Sequence, residues 1–357
     1  YHNGVVATVD KEFRFTQAVA VTDGRIVKVG SEAEVLALRT SDTEVIDLHG
    51  NLMLPGLCDA HLHASDYIHN LDHLVCDRID SLEELQKAIV QRLREQKTVF
   101  LIGNGLPQKL LDMGLDRHVL DRASPDIPVA LIMWHGHGCV VNSAALKKSG
   151  IGAETPNPPG GFIRREESGE PSGVLEEASA LQLIFRGMPS FSADEIADKL
   201  KKMQRLMNSM GYTAYTDSTV GPANDLRERG ASGRACLDAY LKLLEEKEMT
   251  CRVSVGVYSG REGKQSYEML REDLAKGRIP KSPNPDWLRF HMLKFFCDGV
   301  ETSHTAWMKQ DYADVPGNRG SSCFGRPGAT DEEQVAELRR ILQLAHDSGY
   351  QIGIHTV

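Results

Sequence analysis

Two histidines one residue apart, His61 and His63, close the mostly apolar stretch from Asn51 to Cys58. On a β-strand, side chains two residues apart share a face, so both imidazoles present to one side at one strand end. Three consecutive residues thereby supply half of a metal site. The pair alone is a weak signal, because 13 histidines among 357 residues give some close pairs by chance. Two further residues strengthen it. Lys294 lies inside the apolar run Phe290 to Phe296, and His355 ends the run Tyr350 to Ile354. Lysine is rarely buried without a partner, so the ordinary readings are an edge position facing solvent or a pair with Asp298. The chemical reading is a lysine turned inward, whose ammonium is disfavoured by desolvation. A neutral amine takes up CO2 as a carbamate, which acts as a carboxylate able to bridge two metals. His61, His63, Lys294 and His355 are then four candidate ligands at the ends of three strands.

The elements that must position them are legible. From Ser192 onward, helix and strand alternate. The pattern Ser192-Ala193-Asp194-Glu195 is a capping box, followed by a helix with Ile196, Leu200, Met203, Met207 and Met210 on one face. That methionine stripe reads as core packing. Gly211 then precedes a strand over Tyr212 to Asp217. A second helix over about 234–248 leads to a strand over Arg252 to Tyr258. A third, about 266–275, leads to the strand Leu288 to Phe296. A fourth opens with the capping box Thr330 to Glu333 and leads to Tyr350 to His355. Alternation of this kind implies a parallel sheet, either a barrel or a doubly wound sheet. No G-x-G-x-x-G or Walker A motif opens these helices, which removes the nucleotide-binding form of the latter. Counting the His-x-His strand, five barrel strands are present where a (β/α)8 barrel has eight.

Residues 1–52 read as short β-structure: Val5 to Val9, a hairpin around Thr22-Asp23-Gly24, a short helix over Ser31 to Arg39, and a strand over Val45 to Leu48. They are too few for an independent sheet domain and are expected to pair elsewhere. Residues 64–191 form a long insertion after the first barrel strand, with a capped helix from Ser81 and strands over Val99 to Gly103 and Val129 to Trp134. Insertions at strand ends build pockets in barrels, which makes Trp134 and His137 candidate substrate contacts.

Composition narrows the function classes. Hydrophobic residues make up 41% and charged residues 25%, ordinary for a soluble enzyme. A net charge of −9 without a basic cluster argues against nucleic-acid or anionic-membrane binding. No apolar run approaches the ~20 residues that span a bilayer. Seven scattered cysteines without a C-x-x-C favour a reducing, cytoplasmic setting. No signal-peptide pattern opens the chain, and its first residue, Tyr1, suggests that a few residues precede it.

Longer segments resemble the amidohydrolase superfamily, and within it the YtcJ-like branch that includes N-substituted formamide deformylase. They are AVAVTDGRIVKVG (Ala18 to Gly30), VIDLHGNLMLPGLCDAHLH (Val45 to His63), His137 to Leu146, Gly160 to Leu175 with its Gly-Gly and Gly-Glu-Pro-Ser-Gly elements, and LKFFCDG (Leu293 to Gly299). The resemblance implies an α/β fold: a metal-dependent-hydrolase (β/α)8 TIM barrel, here truncated after strand five, plus a small β-sandwich contributed by the N-terminus. It divides the chain into 1–52, part of the sandwich, and 53–357, the incomplete barrel with the 64–191 insertion. It implies that His61 and His63 bind a first metal, that carboxylated Lys294 bridges, and that His355 binds a second. One or two zinc ions are expected. A strand-six histidine and a strand-eight catalytic aspartate would lie beyond Val357. The implied activity is hydrolysis of an amide or related C–N bond in a small molecule by metal-activated water. Deamination or ester hydrolysis on the same site, and a non-catalytic barrel serving binding or regulation, are the alternatives. An exposed apolar insertion is compatible with a homodimer.

Overall fold

The computed structural model describes residues 1–357 except 97, 137, 159–160, 177, 189–190, 223–232, 262–263, 300, 302–303 and 325–328. The chain divides into two compact units: residues 1–58 with 210–214, and residues 59–209 with 215–357.

In the first unit the expected hairpin forms between Ala18–Thr22 and Arg25–Gly30. Its two-residue loop has Asp23 at φ 51° and Gly24 at φ 73°. Two left-handed residues match the twist of the flanking strands, which is why Asp-Gly is favoured there. Strand Val5–Ala7 pairs antiparallel with Phe15–Thr16 and parallel with Leu52–Met53. These short strands therefore pair among themselves. The strand expected over Val45 to Leu48 is instead extended chain with a single bridge, His2 to Asp47. Its backbone is held on both sides of His2, whose N–H donates to Ile46 O and whose carbonyl accepts from Leu48 N–H.

In the second unit, residues 74–176 contribute a six-stranded mixed sheet. Strands Leu101–Leu106, Val129–Met133 and Gly138–Val141 are apolar almost throughout. Alternate residues fill two cores: Leu101, Leu131, Met133 and Val140 on one face, Ile102, Ala130, Ile132 and Val141 on the other. A continuous apolar run is what a strand covered on both faces requires. Helices Leu82–Glu95 and Arg117–Ala123 cover the first face through Leu85, Ile89, Val119 and Leu120.

Gly173, in strand Pro171–Glu176, has φ 94°, and a Cβ there would lie 2.5 Å from Val141 O and 2.8 Å from Arg117 Cβ. Gly173→Ala therefore meets backbone strain and overpacking together. It is expected to destabilise by roughly 2–5 kcal/mol, read as a lower urea midpoint with an unchanged slope.

Five further strands form a curled, half-barrel sheet. They are β1 (Leu57–Leu62), β2 (Tyr212–Val220), β3 (Arg252–Val257), β4 (Leu288–Phe296) and β5 (Gln351–His355), ordered β5-β4-β3-β2-β1. β3 pairs with β4, and β4 with β5, in parallel. The helices are α1 (Ala64–Asn70), α2 (Ala193–Ser209), α3 (Arg234–Glu245), α4 (Tyr267–Ala275) and α5 (Asp331–Asp347). Both expected capping boxes form: Ser192 with Glu195, and Thr330 with Glu333. Ile196, Leu200, Met203 and Met207 are buried as the pattern requires. Met210 is exposed, because α2 ends at Ser209 and Gly211 turns the chain at φ 87°. An apolar run such as the one into His61 suits a buried strand, yet Leu54, Leu57 and Cys58 are exposed. β1 is an outer strand of its sheet, which gives it fewer neighbours than an interior one. Among the described residues, no helix is long and apolar enough to cross a membrane.

Candidate metal centre

His61 sits near the end of β1, and His63 is the residue that caps α1, so the strand-to-helix junction presents both rings. Their centroids lie 5.4 Å apart at 70°. The β1 turn of chain is braced by Asp59, whose Oδ1 accepts the His61 N–H at 3.1 Å.

Lys294 and His355 come to one face through the register of β4 with β5. Lys294 pairs with Gly353 and Phe296 with His355, and residues two apart share a face. Gly353 stands beside Lys294 without a side chain of its own. The Phe296 ring touches both groups: Lys294 Nζ is 5.3 Å from its centroid and the His355 ring 5.5 Å. Lys294 is only 3% exposed, so neither ordinary reading of it holds. It does not face solvent, and Asp298 is engaged by the Trp307 and Val357 N–H groups at 3.0 and 3.3 Å. Among the described residues, no ion pair or hydrogen bond reaches Lys294 Nζ. Burial pushes its pKa down from the ordinary lysine value.

The histidines are electrostatically tied to the same group. The His61 pKa is lowered, first by burial, then by Lys294 and His63, with a smaller push from His355; Asp59 opposes these. His61 is thereby biased toward the neutral imidazole that ligates metals. His355 Nε2 lies 3.1 Å from Gly299 O. A carbonyl only accepts, so Nε2 carries a proton, which leaves Nδ1 as the nitrogen that would offer its lone pair from a neutral ring. The donor set is thus three imidazoles, of which His61 is biased toward the neutral form, and a buried amine without an anionic partner among the described residues. Among the described residues no three His, Cys, Asp or Glu side chains converge closely enough to hold a metal ion; the donor types suit a divalent cation, and Lys294 supplies the missing anion only as a carbamate.

The other two candidates stand apart. Trp134 is 69% exposed in the turn after Val129–Met133, with its ring edge-on to His135 at 5.4 Å. It has no ring or hydrogen-bond contact with the four among the described residues. His137 lies outside the described residues. A buried acid on β2, Asp217, escaped sequence reading, since alternation marks it only as a polar strand residue.

A curled parallel half-barrel sheet with His61 on β1, Lys294 on β4 and His355 on β5 defines a mixed α/β protein. The chain belongs to the amidohydrolase family, which matches residues 44–357, and to its YtcJ-like branch. YtcJ of Bacillus subtilis (strain 168), an amidohydrolase by its name, is 30% identical over 361 residues, covering 100% of this chain and 63% of its own length. N-substituted formamide deformylase of Arthrobacter pascens is 33% identical over 242 residues, covering 65% of this chain and 45% of its own. A crystal structure of an uncharacterized metal-dependent hydrolase from Pyrococcus horikoshii shares the fold with a TM-score of 0.74 at 22% identity, over 100% of this chain and 64% of that one. The chain therefore spans less than two thirds of the length of these three relatives.

Proposed function

We propose that the whole protein is a metal-dependent hydrolase that cleaves an amide or related C–N bond in a small molecule. The observation that carries this reading is the electrostatic coupling of His61 to His63, His355 and a buried Lys294 that has no ion-pair or hydrogen-bond partner among the described residues. The family membership supports hydrolysis, and a relative named for acting on N-substituted formamides supports the amide class. His61 and His63 would hold one divalent cation, zinc in our reading, and His355 a second through Nδ1. When bound, such a cation supplies Lewis acidity for activating water and polarising a carbonyl.

The chain's own contribution begins with Lys294. Its neutral amine nitrogen adds to the carbon of CO2, a proton leaves, and a carbamate anion replaces a buried amine. That conversion supplies the missing negative charge where three imidazoles cannot. Trp134 and His137 would contact substrate. A complete (β/α)8 barrel with a small β-sandwich is the architecture this reading assumes, with the boundaries at 52 and 53 and the 64–191 insertion shaping the pocket.

Elemental analysis of the full-length protein tests the reading directly. About one or two zinc or similar ions per chain are expected, and a panel of small amides should then include a substrate. Full-length protein purified without chelator and free of metal would overturn it.

A further inference from the structure

Asp217 is completely buried on β2, on the face of the strand that meets the helices. Its Oδ2 accepts the Ser65 N–H at 3.2 Å and the Tyr240 hydroxyl at 2.8 Å, and its Oδ1 accepts the Ser65 hydroxyl at 3.4 Å. Ser65 is the second residue of α1, and His63 is that helix's N-cap. An N-cap side chain ordinarily accepts the N–H of the second or third helical residue. His63 makes no such bond. The oxygen that accepts the Ser65 N–H comes instead from Asp217, far along the chain. The His63 carbonyl meanwhile accepts the Tyr67 N–H at 2.9 Å, so the backbone on the C-terminal side of His63 is tied at two points.

The carboxylate is itself held by a directional relay. Gln204 on α2 donates Nε2–H to the Tyr215 hydroxyl at 3.4 Å, Tyr215 donates to Tyr240 at 3.3 Å, and Tyr240 donates to Asp217. Gln204 Oε1 accepts the Thr250 and Cys251 N–H groups at 2.8 and 3.0 Å, just before β3. Burial, and then the Asp217 charge, push both tyrosine pKa values well above their ordinary range, so both hydroxyls stay protonated as donors. Every donor in the chain points toward one carboxylate, and the carboxylate points at the junction that carries His63. Such buried networks rigidify what they join.

We propose that Asp217 is a positioning residue: it stands in for the missing N-cap of α1 and fixes the backbone that aims His63. The proposal rests on the reading of His61 and His63 as metal ligands. Residues that orient a metal ligand typically change affinity by about 10–100-fold when removed.

The test is zinc affinity of the full-length protein, measured by competition with a chelator, alongside amide exchange at Ser65 in the metal-free state. Asp217→Ala is expected to weaken zinc about 10–100-fold and to speed exchange at Ser65. Asp217→Asn keeps an oxygen for the Ser65 N–H and is expected to restore affinity close to wild type. In a His63→Ala background, Asp217→Ala is expected to cause no further loss, because the ligand it positions is gone. An equal loss in both backgrounds would mean a general structural role and would overturn the proposal. So would wild-type affinity in a folded Asp217→Ala protein. Should Asp217→Ala not fold, Tyr240→Phe removes one donor to the carboxylate without opening a large cavity; unchanged affinity and unchanged Ser65 exchange would then overturn it. Undiminished zinc binding by His63→Ala alone would refute the ligand reading itself, and the positioning role with it.

Discussion

Replacing His61 with alanine in the full-length protein is expected to lower kcat/KM by roughly three orders of magnitude or more, equivalent to about 4 kcal/mol of transition-state stabilisation. Metal content should fall in parallel. The imidazole is one of two donors offered by β1, and a site with a single donor from that strand holds a cation far less tightly. The stability of the metal-free protein should move little, because His61 is exposed and its removal opens no core cavity. That separation makes the result informative: activity and metal are lost while the urea midpoint of the apo protein stays. His49, an exposed histidine of the first unit, is the matched control, and His49→Ala should leave both metal and rate unchanged. Full activity and full metal content in His61→Ala would end the metal-site reading.

Lys294 gives the second large effect, with a different signature. Lys294→Met should abolish activity to a similar extent, yet the metal-free fold should tolerate it or gain from it. The native side chain is a nearly fully buried amine with no hydrogen-bond partner among the described residues, and an apolar chain of similar length removes that desolvation cost. Lys294→Arg keeps a cation but cannot form a carbamate, since guanidinium stays protonated at any accessible pH. It should be as inactive as the methionine variant. In wild type, 13C-labelled bicarbonate should add a carbamate carbon resonance that both variants lack. An active Lys294→Arg protein would remove the carbamate from the mechanism.

Much of the candidate site was legible because its signals are local. His61 and His63 are two apart on one strand, and Lys294 is conspicuous as a charge inside Phe290 to Phe296. The capping boxes at Ser192 and Thr330 rest on contacts three residues apart, which sequence spacing reports directly. What could not be read depends on partners distant in the chain. Asp217 is joined to Ser65, 152 residues away, and no periodicity announces that bond. The exposure of Leu57 and Cys58 follows from the outer place of β1 in its sheet, a fact of topology rather than of composition. Val45 to Leu48 has the residues of a strand but only one bridge, so it stays merely extended. Trp134 follows an apolar strand, and position alone does not say where an exposed ring points.

The outer placement of β1 and β5 also bears on how the chain would come together in time. His61 and His63 belong to one margin of the sheet and His355 to the other, with almost the entire sequence between them. A site that draws donors from both margins is completed only when a very long loop has closed. Closure entropy grows only logarithmically, about 0.6 kcal/mol for each doubling of length, so the length itself is a modest obstacle. The delay is kinetic: such a site forms only after the intervening strands have aligned, and contacts this remote are made late. The donors of β1 and β5 would then meet late in folding, and the site would be among the last parts of this sheet to form.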